Sequence, residues 1–256
     1  MHKVQRVNHV QKIISIDSAL RTSGAASDFD IDVAMPKSNA FNKCSVVMTE
    51  MFKSWYTLDD TTTNSFDISI NSSAVTTIAM SYNRIYDSSQ FKTELQSRLD
   101  IQLGAGVITV DYFAANGKFR FFHSTLPFTI IAKNEMAKYM GLENNVLKSS
   151  TFDIPSSTNT LFGTNIVNMQ RYDTLSIKAS GIQNNGDNVL VRLYPSGVGN
   201  FGTFGFTTFD STNNAVTVEN SNMNNMHISV QDNYGKSINL NGVNWRMVVT
   251  FFNSED

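Results

Sequence analysis

The sequence predicts an all-β-dominated fold, a single jelly-roll β-sandwich of eight antiparallel strands with an inserted α+β (ββαββα) subdomain. Most segments of the 256-residue chain alternate apolar and polar residues with period two, as strands with one buried face do. Clusters of Asn, Gly, Ser and Asp separate these segments as turns. One central stretch instead has the apolar spacing of an amphipathic helix.

Eight segments supply the strands of the sandwich. The first, DFDIDV, alternates three apolar residues with three aspartates, which we interpret as a solvated sheet face rather than a metal site. Two four-stranded sheets packed face to face need eight such strands. The predicted strands are 28–33, 44–58, 165–180, 188–195, 203–209, 226–232, 236–240 and 244–253.

The stretch between the second and third of these strands has a different pattern. Asp87 precedes Gln90 by three residues, the spacing of a capping box at a helix start. The Asn-Gly pair in AANG (114–117) favours a tight hairpin turn. The predicted elements are strands 65–70 and 74–82, a helix over 88–101, strands 107–113 and 118–124, and a helix over 135–140.

These elements divide the chain into three parts. Residues 1–27 form an N-terminal arm, residues 28–60 and 165–256 the sandwich, and residues 62–150 the inserted subdomain. The polar stretch 144–165 serves as a linker back into the sandwich. Two side-by-side domains, with the first two strands in the α+β half, are an equally simple alternative.

The composition limits what the surface can do. The chain has 20 Lys and Arg against 22 Asp and Glu, a net charge of −2, which excludes a strongly basic nucleic-acid coat. Asn, Ser and Thr together number 79, so the surface is mostly neutral and hydrogen-bonding. The single cysteine, Cys44, excludes an internal disulfide framework. With neither a secretory signal nor an apolar run of membrane-span length, we expect an intracellular, reducing compartment.

No motif for chemistry emerges from the sequence. The four histidines lack second ligands at metal-binding spacing, and phosphate-loop, dinucleotide and nucleophile-elbow patterns are absent. We therefore predict no enzyme and no catalytic, cofactor-binding or metal-binding residues. Aromatic residues could form a sugar-binding surface, but the period-two pattern around Trp245 favours a core position. The aromatic residues considered are Trp55, Tyr56, Tyr112 and Trp245.

The N-terminal arm carries local positive charge. Lys3, Arg6 and Lys12 precede the first acidic residue, Asp17. One interpretation is a frayed terminus. The other is an arm that orders against a neighbouring subunit or faces DNA, where each lysine or arginine can neutralise a phosphate.

The order of segments resembles a family of viral proteins. IDSALRTSGAASDFDIDV (16–33), AANGKFRFF and the closing pattern of Asp232, Gly235, Gly242 and Trp245 resemble the minor capsid (penton) proteins of virophages, Polinton-like viruses and related large eukaryotic dsDNA viruses. The helix around Phe91 to Leu99 follows the same order. Met140-Gly141-Leu142 departs from the family's Leu-Gly-Phe-like stop. The likeness spans nearly the whole chain through loose patterns.

The resemblance implies a structural role. Such proteins form homopentamers at icosahedral vertices and contact a major capsid protein of two jelly rolls. It therefore implies a virion protein assembled inside the host cell, with itself, the major capsid protein and other minor capsid proteins as partners, and weak contact with packaged DNA. The alternative function is a glycan- or receptor-binding β-sandwich attachment module of a virion, and a third is a cement protein.

Overall fold

Antiparallel strands dominate the computed structural model, which describes residues 11–33, 41–58, 64–133, 135–143, 151–183, 187–195, 202–208, 214–219 and 224–254. The chain divides into two units with separate cores. The sandwich unit takes the described residues up to Trp55 and from Tyr172 onward, and the inserted unit is Tyr56–Arg171.

The elements are numbered in chain order. The strands of the sandwich unit are β1 (Gln11–Asp17), β2 (Ser23–Ala25), β3 (Asp28–Asp32), β4 (Lys43–Phe52), β12 (Leu175–Ala179), β13 (Ile182–Gln183), β14 (Val189–Leu193), β15 (Thr203–Thr207), β16 (Val216–Val218), β17 (Asn225–Gln231) and β18 (Arg246–Phe252). The inserted unit has β5 (Ser65–Ile70), β6 (Thr76–Ala79), β7 (Ile108–Phe113), β8 (Lys118–His123), β9 (Phe128–Lys133), β10 (Thr151–Pro155), β11 (Thr160–Phe162), and helices α1 (Ser88–Leu103) and α2 (Glu135–Tyr139).

The sandwich unit has the strand order of a jelly roll. In one sheet β18 pairs with β1 and β4, and β4 also pairs with β15 and β16. The other sheet has the order β14-β12-β17-β3-β2. When the short strands β2, β13 and β16 are set aside, eight strands remain, counted here in chain order. One sheet holds the first, eighth, third and sixth of them, which are β1, β18, β4 and β15. The other sheet holds the second, seventh, fourth and fifth, which are β3, β17, β12 and β14. This double Greek-key order confirms the predicted fold class.

Alternation along the strands builds the core between the two sheets. Phe29 of β3 and Ile228 of β17 point inward, as do Met247, Val249 and Phe251 of β18, and all are buried. Each fully buried side chain of this size stabilises the fold by about 1.5–3 kcal/mol relative to an exposed one. The outward positions of β3 are the three aspartates of the sequence pattern.

Two segments of the sandwich unit differ from the prediction. Gln11–Asp17, which the sequence analysis placed in the arm, is strand β1, paired with β18 from Gln11–Phe252 to Asp17–Arg246. Segment 236–240, predicted as a strand, makes one isolated bridge, Gln231–Ser237. The cause is a turn: Oδ1 of Asp232 accepts hydrogen bonds from the backbone N–H groups of Tyr234 and Lys236 at 2.8 and 3.0 Å. Of the predicted strand 165–180, only Leu175–Ala179 (β12) forms a strand.

The inserted unit contains two sheets, with the orders β10-β9-β5-β6 and β11-β8-β7. Its described elements run ββαβββαββ rather than the predicted ββαββα, because β9 follows the second hairpin and β10 and β11 follow α2. Stretch 144–165, predicted as a linker, contains β10 and β11. These short strands acquire partners far along the chain, β9 for β10 and β8 for β11, which local patterns do not reveal.

Helix α1 begins at the predicted capping box. Oδ1 of Asp87 accepts from the Gln90 backbone N–H at 2.7 Å, and Oε1 of Gln90 accepts from the Asp87 backbone N–H at 3.1 Å. Phe91, Leu95 and Leu99 form the buried face. The helix ends two residues later than predicted, at Leu103. Local signals therefore placed this helix correctly.

We predict that Gly205→Ala separates β15 from β4. A Cβ atom at Gly205 would lie 1.9 Å from the carbonyl oxygen of Thr49 in the paired strand. Backbone on both sides must move, so we expect the free energy of unfolding to fall by about 1–3 kcal/mol or more. Thermal and denaturant unfolding followed by circular dichroism measure the change. Thr207→Ala, an exposed position of the same strand, is the control, and equal stability of the two variants would contradict this pairing.

Candidate functional site

Of the three predicted arm residues, the structure describes one. Lys3 and Arg6 lie outside the described residues. Lys12 lies in β1, on the face that also carries Ile14 and Ile16, and it is half-buried. Residue 12 is therefore fixed in a sheet, and an inward-pointing lysine near a strand end discourages unwanted pairing. A role for these three residues stays a prediction.

Strand β1 forms one border of its sheet. Within the described residues it pairs only with β18, so its other side presents backbone N–H and C=O groups. Its outward side chains include Ile13, which is 64% exposed. An open strand edge beside an exposed apolar side chain is a surface suited to a neighbouring protein.

A groove of about 290 Å³ lies at the end of this sheet in the sandwich unit. Asp17, Arg246 and Glu50 follow one another across β1, β18 and β4 along its wall. Nε of Arg246 donates to Oε2 of Glu50 at 2.7 Å, and both side chains are exposed. Exposed pairs of this kind contribute little stability, so the row defines surface charge rather than a reactive centre.

A second polar cluster lies on the outer face of the other sheet. His227 of β17 pairs in register with Asp30 of β3. Its Nε2 lies 3.0 Å from Oδ1 of Asp28, and its Nδ1 lies 3.0 Å from Oδ1 of Asp30. No local pattern predicts this contact, because 197 positions separate His227 from Asp30 along the chain.

Hydrogen bonds hold the carboxylates of this cluster. Ser23 Oγ donates to Asp30 Oδ2 at 2.7 Å, and Ser237 Oγ donates to Asp28 Oδ2 at 3.0 Å. The hydrogen bond from Ser23, followed by that from His227, lowers the pKa of Asp30 below its ordinary value. Within the described ranges, no group of three or more His, Cys, Asp or Glu side chains is arranged to hold a metal ion.

The tryptophans considered for a sugar-binding surface lie in the core. Trp245 is 3% exposed, and its Nε1 donates to the Ala26 carbonyl oxygen at 2.7 Å. Trp55 is 2% exposed and packs edge-on against Tyr172 and Phe204. Cys44 is also buried, and burial raises the pKa of its thiol to about 12, which suppresses thiolate reactivity.

Exposed aromatic residues occur instead on the three-stranded sheet of the inserted unit. We define its aromatic–arginine face as Asp111, Phe113, Arg120, Phe122 and Phe162, which share one side of β7, β8 and β11. Arg120 pairs in register with Asp111 on one neighbour and Phe162 on the other. Phe119, Phe121 and Leu161 alternate with them and point into the core. The same strand pattern therefore builds a core on one side and an aromatic surface on the other.

The described part of the chain contains no helix of the length and apolarity needed to cross a bilayer.

Comparison with known proteins gives a structural match and no sequence match. No family model matches the chain, and no curated protein matches it. The fold places the sandwich unit among jelly rolls. The whole chain is similar to the crystal structure of a selenomethionine-labelled mavirus penton protein. The TM-score is 0.59 and the sequence identity is 11%, and the match covers 95% of this chain and 99% of that one. At this identity the likeness establishes the penton-like fold.

We predict that Ser23→Ala raises the pKa of Asp30 towards its ordinary value. The lowered pKa means that the hydrogen bonds of Asp30 stabilise the fold above the ordinary carboxyl pKa, and that this contribution is lost as the pH falls through the lowered pKa. A ¹³C NMR titration of the aspartate carboxyl groups measures the shift. Ser237→Ala is the matched control, because it removes a hydrogen bond from Asp28 only. An unchanged Asp30 titration in Ser23→Ala would show that Ser23 does not set this pKa.

Proposed function

We propose that this chain is a capsid structural protein, a penton that forms homopentamers at icosahedral vertices. The supporting observation is the fold match to a mavirus penton protein, which spans nearly the full length of both chains. Because it covers 95% of this chain, it includes most of the inserted unit as well as the jelly roll. Membership of the wider group of Polinton-like and large eukaryotic DNA viruses is part of the same proposal.

A five-fold ring imposes a geometric requirement on the sandwich unit. Head-to-tail rings close only when one surface of a subunit complements a different surface of the next. We assign the β1 border and the outward side chain of Ile13 to one of these two surfaces, because within the described residues this border has no second strand partner. The neutral, hydrogen-bonding composition suits close packing against copies and other shell proteins.

The other parts of the proposal concern neighbours in the shell. The pentamer contacts the major capsid protein in the virion, other minor capsid proteins lie beside it, and assembly takes place in the host cell. Lys3 and Arg6 contact a neighbouring subunit or packaged DNA, where two cations per subunit are multiplied over a ring. Lys12, predicted to act with them, points to the inward side of β1 and is left out of this contact. In this role the chain acts by its shape.

Measurement of the oligomeric state tests the proposal. Mass photometry and negative-stain electron microscopy of the purified full chain should show rings of five copies, 142.5 kDa from a 28.5 kDa chain. Mixing with the major capsid protein of the same virus should place these rings at vertices. Monomers alone under conditions in which the major capsid protein assembles would contradict the proposal.

We predict that Ile13→Asp shifts the rings to monomers. The substitution places an unpaired carboxylate in the proposed contact, and its desolvation opposes association. Because Ile13 is exposed in the monomer, the melting temperature of the isolated chain should change little. Val75→Asp, at an exposed position of the inserted unit, is the control. If the rings of Ile13→Asp are as stable as those of the unchanged chain, β1 is not part of the interface, and the proposed pentamer must close through other surfaces.

A further inference from the structure

The aromatic–arginine face groups three phenylalanine rings around one arginine–aspartate pair. Phe162 is 57% exposed and Phe113 is 39% exposed, while Phe122 is half-buried. Exposed phenylalanines grouped on one sheet face are uncommon in a monomer surface and mark a place where something binds. The polar groups among these rings indicate which kind of ligand binds there.

Arg120 is held rigidly in the middle of the face. Its Nε donates to Oδ2 of Asp111 at 2.9 Å, and Nη2 donates to the same oxygen. The guanidinium carbon also lies 5.5 Å from the ring centroid of Phe113 and 6.0 Å from that of Phe122. These contacts fix the position of the charged group before any ligand arrives, which reduces the entropy lost on binding.

The Arg120–Asp111 pair retains hydrogen-bonding capacity. Among the described residues, Oδ1 of Asp111 and Nη1 of Arg120 have no hydrogen-bond partner, and both side chains keep more than a third of their surface exposed. The face therefore presents an acceptor and a donor side by side. Adjacent hydroxyl groups of a pyranose ring complement this arrangement, since each hydroxyl both donates and accepts.

The surroundings of the pair suit the same ligand. The apolar C–H face of a pyranose can pack against the exposed ring of Phe162, which lies directly across from Arg120 in the register. Thr109 and Thr160 flank Phe122 on the neighbouring strands and add hydroxyl groups at the rim. Lys118 Nζ donates to the carbonyl oxygen of Thr164 at 2.8 Å, so its charge is engaged within the unit.

Charge favours a neutral ligand over a nucleic acid or a dry protein contact. Asp111 neutralises Arg120, and its carboxylate would repel a phosphate backbone. Burial of the pair in an apolar protein interface would cost desolvation energy that new contacts must repay. Hydroxyl groups replace the lost water at the pair without leaving it unsatisfied.

We propose that the aromatic–arginine face binds an uncharged oligosaccharide of pyranose units. Phe162 provides the stacking surface, and Oδ1 of Asp111 and Nη1 of Arg120 hydrogen-bond adjacent hydroxyls. The site lies wholly within the inserted unit. It does not depend on the oligomeric state of the chain, so its test is independent of the pentamer.

The full chain should be applied to an array of immobilised neutral oligosaccharides of glucose, galactose, mannose and N-acetylglucosamine, with sialylated and sulfated sugars and single-stranded DNA as further arms. The strongest neutral binder is then titrated by NMR. Phe162→Ala removes the stacking surface, and Asp111→Asn replaces a charged acceptor with a weaker neutral one and loosens its hold on Arg120, so each should weaken the binding about tenfold. Tyr82→Ala, which removes an exposed aromatic residue of the same unit, should leave binding unchanged.

Melting curves establish that each variant is folded. Arg120→Lys provides a second test of the site, because lysine keeps the positive charge but lacks the planar guanidinium with its fork of N–H donors. Binding of neutral sugars that both Phe162→Ala and Asp111→Asn weaken supports the proposal. No binding to any neutral sugar overturns it, as does binding that Phe162→Ala leaves intact. Binding only to DNA or sulfated sugars, strengthened by Asp111→Asn, overturns it in favour of a polyanion surface.

Discussion

Strand β18 holds the sandwich unit together, because it lies between β1 and β4 and joins the start of the described chain to its end. Its ladder with β1 covers seven register pairs, and its inward residues fill the core. Trp245, just before β18, fixes this closure. Its backbone N–H donates to Ser18 Oγ at 2.9 Å, and its indole Nε1–H donates to the carbonyl oxygen of Ala26. Loss of this strand would leave β1 without a strand partner among the described residues and would take from β4 its longest ladder.

The insertion is accommodated where the sandwich already brings the chain together. The chain leaves the sandwich unit at Trp55 and returns at Tyr172, and the centroids of these two rings lie 5.4 Å apart within that unit. Closing so long a loop costs little more entropy than closing a short one. The inserted unit also has its own core, which includes Phe66, Phe91 and Phe119. It can therefore carry a separate surface without disturbing the jelly roll.

The low identity to the mavirus penton protein has a physical explanation. A jelly roll requires inward apolar residues, turns and a strand order, and many sequences satisfy these conditions at 11% identity. Surface chemistry is free to differ on such a scaffold. The His227 cluster and the aromatic–arginine face are features of this surface, and neither has a part in the core.

The sequence by itself determined the features that depend on neighbours along the chain. Asp87 and Gln90 placed the start of α1, the Asn-Gly pair placed the β7–β8 turn, and alternation identified strands such as β3 and β18. Only the tertiary structure decided which strands pair. Alternation shows whether a side chain faces inward, but not which strand lies beside it. Thus β1 joined the sheet, segment 236–240 did not, and Phe162 came to lie opposite Arg120 through pairing across some forty residues of chain.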